Sequence, residues 1–151
     1  KLNNLVDIKI TNKLYAAAKA GVKIDIICRG ICILVPGIPD LSENIRVISI
    51  VDKFLEHSRI IVFANEGDPE VYLSSADWMV RNFNNRFEAA TPVYDSNLKK
   101  ELLEMLNIQL KDNVKARYVN ASPANKYVEA EGEELVRSQL DTYNYFKKKL
   151  I

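Results

Sequence analysis

The 151-residue chain predicts an α/β fold, a mixed β-sheet flanked by helices. Three observations lead there. Apolar residues make up 48% and charged residues 27%, the balance of a globular domain. Short runs rich in β-branched residues recur, at VKIDIIC (22–28), IRVISIV (45–51) and RIIVFAN (59–65). Around them lie segments whose apolar residues are spaced three and four apart, the helical period. At this length the expectation is one domain, residues 1–151, burying roughly 70% of its unfolded surface.

Asp7 is placed to cap a first helix running to about residue 20. Ile10, Leu14, Ala17 and Ala18 share one of its faces, and Gly21 is its stop. Residues 22–28 follow as a buried strand. RGICILVPGIPDLSEN (29–44) is a loop, punctuated by Gly30, Pro36, Gly37 and Pro39. Residues 45–51 and 59–65 are the next two strands. EGDP (66–69) is a turn and EVYLSSA (70–76) pairs back, so 59–76 form a hairpin. RFEAATPVY (86–94) is a further strand. DSNLKKELLEMLNIQLKD (95–112) is an amphipathic helix with Leu98, Leu102, Leu106 and Leu110 at every fourth place, a stripe for core packing. KARYVN (115–120) is a short edge strand and ASPANKYVEAEGEE (121–134) a polar loop. Residues 133–150 close the domain as a helix, whose Lys147-Lys148-Lys149 end complements the helix dipole. All strands are expected in a single sheet of about five or six.

Composition also excludes. No apolar run approaches the ~20 residues that span a bilayer. Net charge is +1, so an anion site has to be local, made by a few placed arginines rather than by a basic surface. Trp78 and the seven tyrosines are scattered and form no stacking platform, so nucleic acid is not an expected partner. FANEGDPE has glycine and acids but no Gly-Lys-Ser/Thr ending, so it is no phosphate loop. Cys28 and Cys32 with one histidine make a poor zinc set, and no metal ligands are expected on this chain; the two cysteines read as buried, reduced thiols. The abrupt start at KLNNLVD reads as a piece of a larger polypeptide.

The single histidine, His57, stands in FLEHSRIIVF (54–63). Arg59 is two residues on, so in an extended strand both side chains share a face. The partner strand brings Ser74 and Ser75, followed by Asp77, and the next strand brings Arg86 and Glu88, again two apart. Arg29, beside Gly30 at the end of the first strand, joins the same edge if that strand is central in the sheet, and such strand ends are where α/β sheets bind ligands. The set suits phosphate chemistry. A guanidinium offers planar paired donors to phosphate oxygens. An imidazole exchanges the proton at a leaving oxygen, and a carboxylate such as Glu88 fixes its tautomer.

Three stretches then carry a family resemblance: CRGICILVPGIP (28–39), IVDKFLEHSRIIVF (50–63) and VYLSSADWMVRNFNNRFEAATP (71–92). Together with the flanks KLNNLVD, VKARYVN and LVRSQLDTYNYF, they resemble the C-terminal catalytic domain of the long, multi-domain bacterial polyphosphate kinases. That family resembles the phospholipase D superfamily in fold, with two related halves each giving one His-x-Lys-type motif. Here the motif reads His57-Ser58-Arg59, and SSAD (74–77) stands where phospholipases have a Gly-Ser-x-Asn-like segment. The resemblance implies an ATP:polyphosphate phosphotransferase, moving the terminal phosphate of ATP reversibly to polyphosphate through a phosphohistidine in a preceding domain. On it, His57 has an acid–base role, Arg29 and Arg59 hold ATP or ADP phosphates, and Glu88 supports His57. Ser74, Ser75, Asp77 and Arg86 are supporting candidates. Magnesium would be held by residues of the preceding domain. The implied partners are the remaining domains of the full-length enzyme, expected to be a homo-oligomer when intact. The implied location is cytoplasmic, with membrane association of the intact enzyme left open.

Departures from the family pattern occur at Ile48 and Asp52, where an arginine and a glycine are usual, and at Asn84-Asn85, where an aspartate and an arginine are common. These bear on secondary contacts along a polyphosphate channel. Two other readings stay open: a phospholipase D-type phosphodiesterase with His57 as nucleophile or acid, and a non-catalytic interaction domain. A symmetric dimer joining two His57 residues would favour the diesterase.

Overall fold

The computed structural model describes residues 1–120, 125–130, 132 and 134–149. Its elements in order are α1 (Ile8–Lys19), β1 (Ile24–Ile27), β2 (Ile45–Ile50), β3 (Ile60–Phe63), β4 (Glu70–Ser74), α2 (Val80–Asn85), β5 (Ala90–Pro92), α3 (Ser96–Leu110), β6 (Ala116–Tyr118) and α4 (Ser138–Lys149). The class is α/β, as expected.

The first helix begins as its sequence dictates. The Asp7 carboxylate accepts from the Ile10 N–H, and Gly21 leaves the helix with φ 89°, a left-handed conformation that strains any side chain. β1 runs parallel to β2, with Ile26 opposite Val47 and Ile27 opposite Ile48, and β6 lies antiparallel on the far side of β2. Alternation along β1 and β2 then sorts two cores. Ile26, Ile45 and Val47 pack with Leu2, Leu5 and Ala18, while Ile27, Ile48 and Ile50 pack with Leu106 and Ala116. The sheet is therefore covered on both faces, by α1 on one and α3 on the other.

The expected single sheet is instead two three-stranded sheets, β1-β2-β6 and β3-β4-β5. Residues 1–6 explain why. Leu2 and Leu5 bridge in parallel to Cys28 and Cys32, occupying the free edge that continues β1. The same segment meets the second sheet, where Ile60 N–H donates to the Lys1 carbonyl and Trp78 N–H to that of Asn4. The second sheet is thus joined through this strip rather than by strand pairing with the first.

Three boundaries also differ. The strand expected over 86–94 shrinks to Ala90–Pro92, and an unexpected short helix, α2, precedes it. Its residues VRNFNN have little helical propensity, and tertiary contacts decide, since buried Asn82 donates to Glu88 across the turn. The closing helix starts at Ser138 rather than 133, where the Asp112 carboxylate accepts the Ser138 N–H and the Asp141 carboxylate that of Arg137. Positions 133 and 150, and residues 121–124 and 131 of the expected polar loop, lie outside the described residues.

Candidate functional site

His57 lies in the segment joining β2 to β3, exposed at the seam of the two sheets. Its Nε2 is 3.0 Å from Arg59 Nη2 and its Nδ1 is 3.4 Å from Arg29 Nη2. Both guanidinium nitrogens are donors, whereas a neutral imidazole offers one acceptor nitrogen. A neutral ring can therefore accept from one arginine at a time, and its tautomer decides which. Two cations face one ring, and an incoming anion would give both somewhere to donate.

The two arginines are held differently. Arg59 forms an ion pair with Asp77, Nε to Oδ1 at 3.2 Å and Nη2 to Oδ2 at 3.3 Å. Arg29 Nε donates to the Asn3 side-chain oxygen at 3.1 Å, and among the described residues no carboxylate pairs with it. Its charge is thus available to a ligand. Arg29 also owes its place to Gly30: a Cβ there would lie 2.7 Å from Asn4 Oδ1 and 2.9 Å from the Asn3 carbonyl, to which Gly30 N–H donates.

Asp77 is buried, and Oδ1 accepts the Asn3 N–H at 2.7 Å and the Asn4 N–H at 3.2 Å. Burial is the largest influence on it and pushes its pKa up. The Arg59 hydrogen bond and charge, with the two backbone N–H groups, outweigh that, so the carboxyl stays below its usual range. Asp77 therefore serves as the fixed anion that aims Arg59. Asn3 and Asn4, which tie Asp77 to the Arg29 loop, were missed from sequence. The signal available was two amides inside the apolar run LNNLV, where Leu2 and Leu5 are buried.

The remaining candidates divide. Glu88 and Arg86 precede β5 instead of standing on a strand. Glu88 accepts from Ser75 Oγ and Asn82 Nδ2, and these two bonds, ahead of the nearby charges of Arg86 and Arg59, lower its pKa. Its hydrogen bonds run to these partners and not to His57, so it does not fix the ring's tautomer in this arrangement. Ser75 also accepts the Ala89 N–H at 2.9 Å, while Ser74 Oγ accepts the Ala76 N–H at 3.1 Å and turns the chain towards Asp77. Arg86 is exposed at the end of α2.

Ile48 is fully buried in the first sheet, Asp52 pairs with Arg137, and Asn84 and Asn85 are exposed. Cys28 and Cys32 are free thiols, the first buried. A cavity of about 160 Å³ opens beside Arg29, between Ile27, Ile50, Met105 and Gln109, and His57 is not in its wall. Among the described residues no group of three or more His, Cys, Asp or Glu could hold a metal ion, and no helix is long and apolar enough to cross a membrane.

Fold and site together define an α/β domain of the phospholipase D-like class with an arginine-flanked histidine. The chain belongs to the polyphosphate kinase family: the model of the polyphosphate kinase C-terminal domain 2 matches residues 1–139. The polyphosphate kinase of Vibrio parahaemolyticus is 54% identical over 147 residues, 97% of this chain and 21% of the relative. That of Escherichia coli is 49% identical with the same coverage. The crystal structure of the polyphosphate kinase from Porphyromonas gingivalis matches with a TM-score of 0.94 at 50% identity, over 98% of this chain and 23% of that one. The chain thus spans about a fifth of the length of these relatives.

Proposed function

We propose that this chain is the C-terminal catalytic domain of a longer polyphosphate kinase and contributes the acid–base half of its active site. The observation that carries the reading is the His57 ring set between Arg29 and Arg59. The relatives' name, polyphosphate kinase, points to polyphosphate as substrate, and ATP is the phosphoryl donor that the family resemblance implies.

On this reading the γ-phosphorus of ATP passes to a histidine of the preceding domain, breaking its bond to the bridging oxygen. That oxygen leaves with ADP and gains negative charge. Arg29 and Arg59 hold the phosphates by paired donors, and His57 gives its proton to the departing oxygen. The phosphohistidine then passes its phosphoryl group to the end of polyphosphate. In the reverse direction His57 takes the proton from the attacking ADP oxygen. Magnesium enters with the nucleotide, and no ligand for it is assigned to this chain. Glu88 acts at one remove, by holding Ser75 and through its charge on Arg59. A domain that consumes ATP in this way works in the cytoplasm.

The test is His57→Ala in the full-length protein. Net synthesis should fall ~10²–10⁴-fold, the usual worth of a general acid. Labelled ATP should leave no acid-labile phosphate on His57 of the wild type. Stable label there would make His57 the nucleophile, and near-normal activity of the variant would end the acid–base reading.

A further inference from the structure

His57 owes its position to a part of the chain far away in sequence. Residues 51–59 contain no helix or strand. Apolar anchoring is weak too, with Val51, Phe54 and Leu55 exposed by 70%, 52% and 75%. Polar contacts must therefore order this segment, and those at Asp52 and Phe54 come from Arg137, just before α4, and Gln139 in its first turn. Arg137 grips Asp52 in a fork, Nε to Oδ2 at 2.9 Å and Nη2 to Oδ1 at 2.7 Å. Gln139 takes both backbone groups of Phe54: its Oε1 accepts the Phe54 N–H at 2.7 Å and its Nε2 donates to the Phe54 carbonyl at 2.8 Å.

The clamp is itself anchored. Asp112 is fully buried, and its Oδ1 accepts N–H groups from Val114, Lys115 and Ala116 while Oδ2 accepts that of Ser138 at 2.8 Å. Asn113 bonds the chain on the other side, accepting the Val136 N–H at 2.8 Å and donating to the Glu134 carbonyl at 3.0 Å. The turn after α3 therefore fixes residues 134–138, and from there Arg137 holds Asp52 and Gln139 holds Phe54. Beyond these, Glu56 pairs with Lys1 and accepts from Ser58 Oγ at 2.8 Å. The chain is held at 52, 54 and 56, immediately before the histidine.

We propose that Arg137 and Gln139 are positioning residues that set the His57 ring between Arg29 and Arg59. This rests on the acid–base reading of His57. The two are separable, because the clamp orders a segment whether or not the ring moves a proton.

The experiment uses the full-length protein carrying Gln139→Met or Arg137→Lys, with His57→Ala as reference. Gln139→Met keeps length and bulk but removes both bonds to Phe54. Arg137→Lys keeps the charge but loses the fork. Turnover should fall by about tenfold or more, since small misplacements of reacting groups are costly, while KM for ATP changes by less than about threefold. Amide hydrogen exchange should quicken over 51–57 and stay slow in β1 and β2. Normal turnover with unchanged exchange in folded Gln139→Met protein would overturn the proposal. So would a lower yield of folded protein with full turnover per folded molecule. If His57→Ala remains active while exchange at 51–57 rises in the clamp variants, the acid–base reading fails and the ordering role stands.

Discussion

The two sheets are built alike in size and unlike in duty. The first, β1-β2-β6, is buried on both faces, and Ile26, Ile27, Val47 and Ile48 are each at most 5% exposed. The second, β3-β4-β5, buries Ile60 and Val71 but leaves Phe63 57% and Leu73 44% exposed. The chemistry follows the second. Arg59 precedes β3, Ser75 and Asp77 follow β4, and Glu88 precedes β5, whereas the first sheet lends only Arg29 beyond the end of β1. Stability and reactivity are thereby separated: charged groups need solvent and room to meet an anion, which a sheet covered on both faces denies them.

That division breaks most visibly in the central strand. Ile48→Ala should destabilise the protein by ~2–5 kcal/mol, because the site is fully buried and cannot collapse around the cavity. Denaturant unfolding reads the loss, and specific activity of the folded fraction should be unchanged. His57→Ala should show the inverse pattern, with stability altered by at most ~1 kcal/mol for an exposed side chain.

Gly30→Ala comes next and tests the junction of the two regions. Its new methyl meets the Asn3 carbonyl and Asn4 side chain, so the Arg29 loop has to shift, at a cost of ~1–3 kcal/mol. Nucleotide affinity of the full-length protein should weaken with it, whereas unchanged affinity would mean that Arg29 tolerates displacement.

Asp77 sharpens the comparison through pH. Its folded pKa lies below the ordinary value of ~3.9, so its contribution is complete above that value and is lost as pH falls through the folded pKa. Asp77→Asn should therefore flatten the fall in stability below about pH 4, measured by acid unfolding, and should loosen Arg59 at neutral pH. The smallest effect belongs to the open face of the second sheet. Leu73→Ala should cost under ~1 kcal/mol, and a larger loss would show that this face is covered in the full-length protein.

Sequence reasoning found most of what local rules govern. The Asp7 cap, the Gly21 stop, the 59–76 hairpin and the α3 helix all appear, because capping, turn and periodicity signals act within a few residues. Leu98 is the exception on α3, exposed where its spacing suggested packing. The pairing of His57 with Arg59 was also legible, since residues two apart along extended chain point the same way, whereas Arg29 was expected beside them only on a central strand and instead reaches them from the terminal strand β1, held by Asn3. Glu88 was misdirected. The expected strand at 86–94 does not reach it, and α2 places Asn82 on its carboxylate.

By itself, then, the sequence determined the α/β class, the order of its elements, the lone histidine with its arginine two residues on, and through three motifs the family. Only the tertiary structure decided that the strands form two sheets, that Asn3 and Asn4 tie Asp77 to the Arg29 loop, and that Arg137 and Gln139 hold the chain before His57. The physical reason is sequence separation. The Asp52–Arg137 pair spans 85 positions and the Asn3–Asp77 pair 74, and no local pattern encodes which distant donor a buried carboxylate will meet once the chain closes.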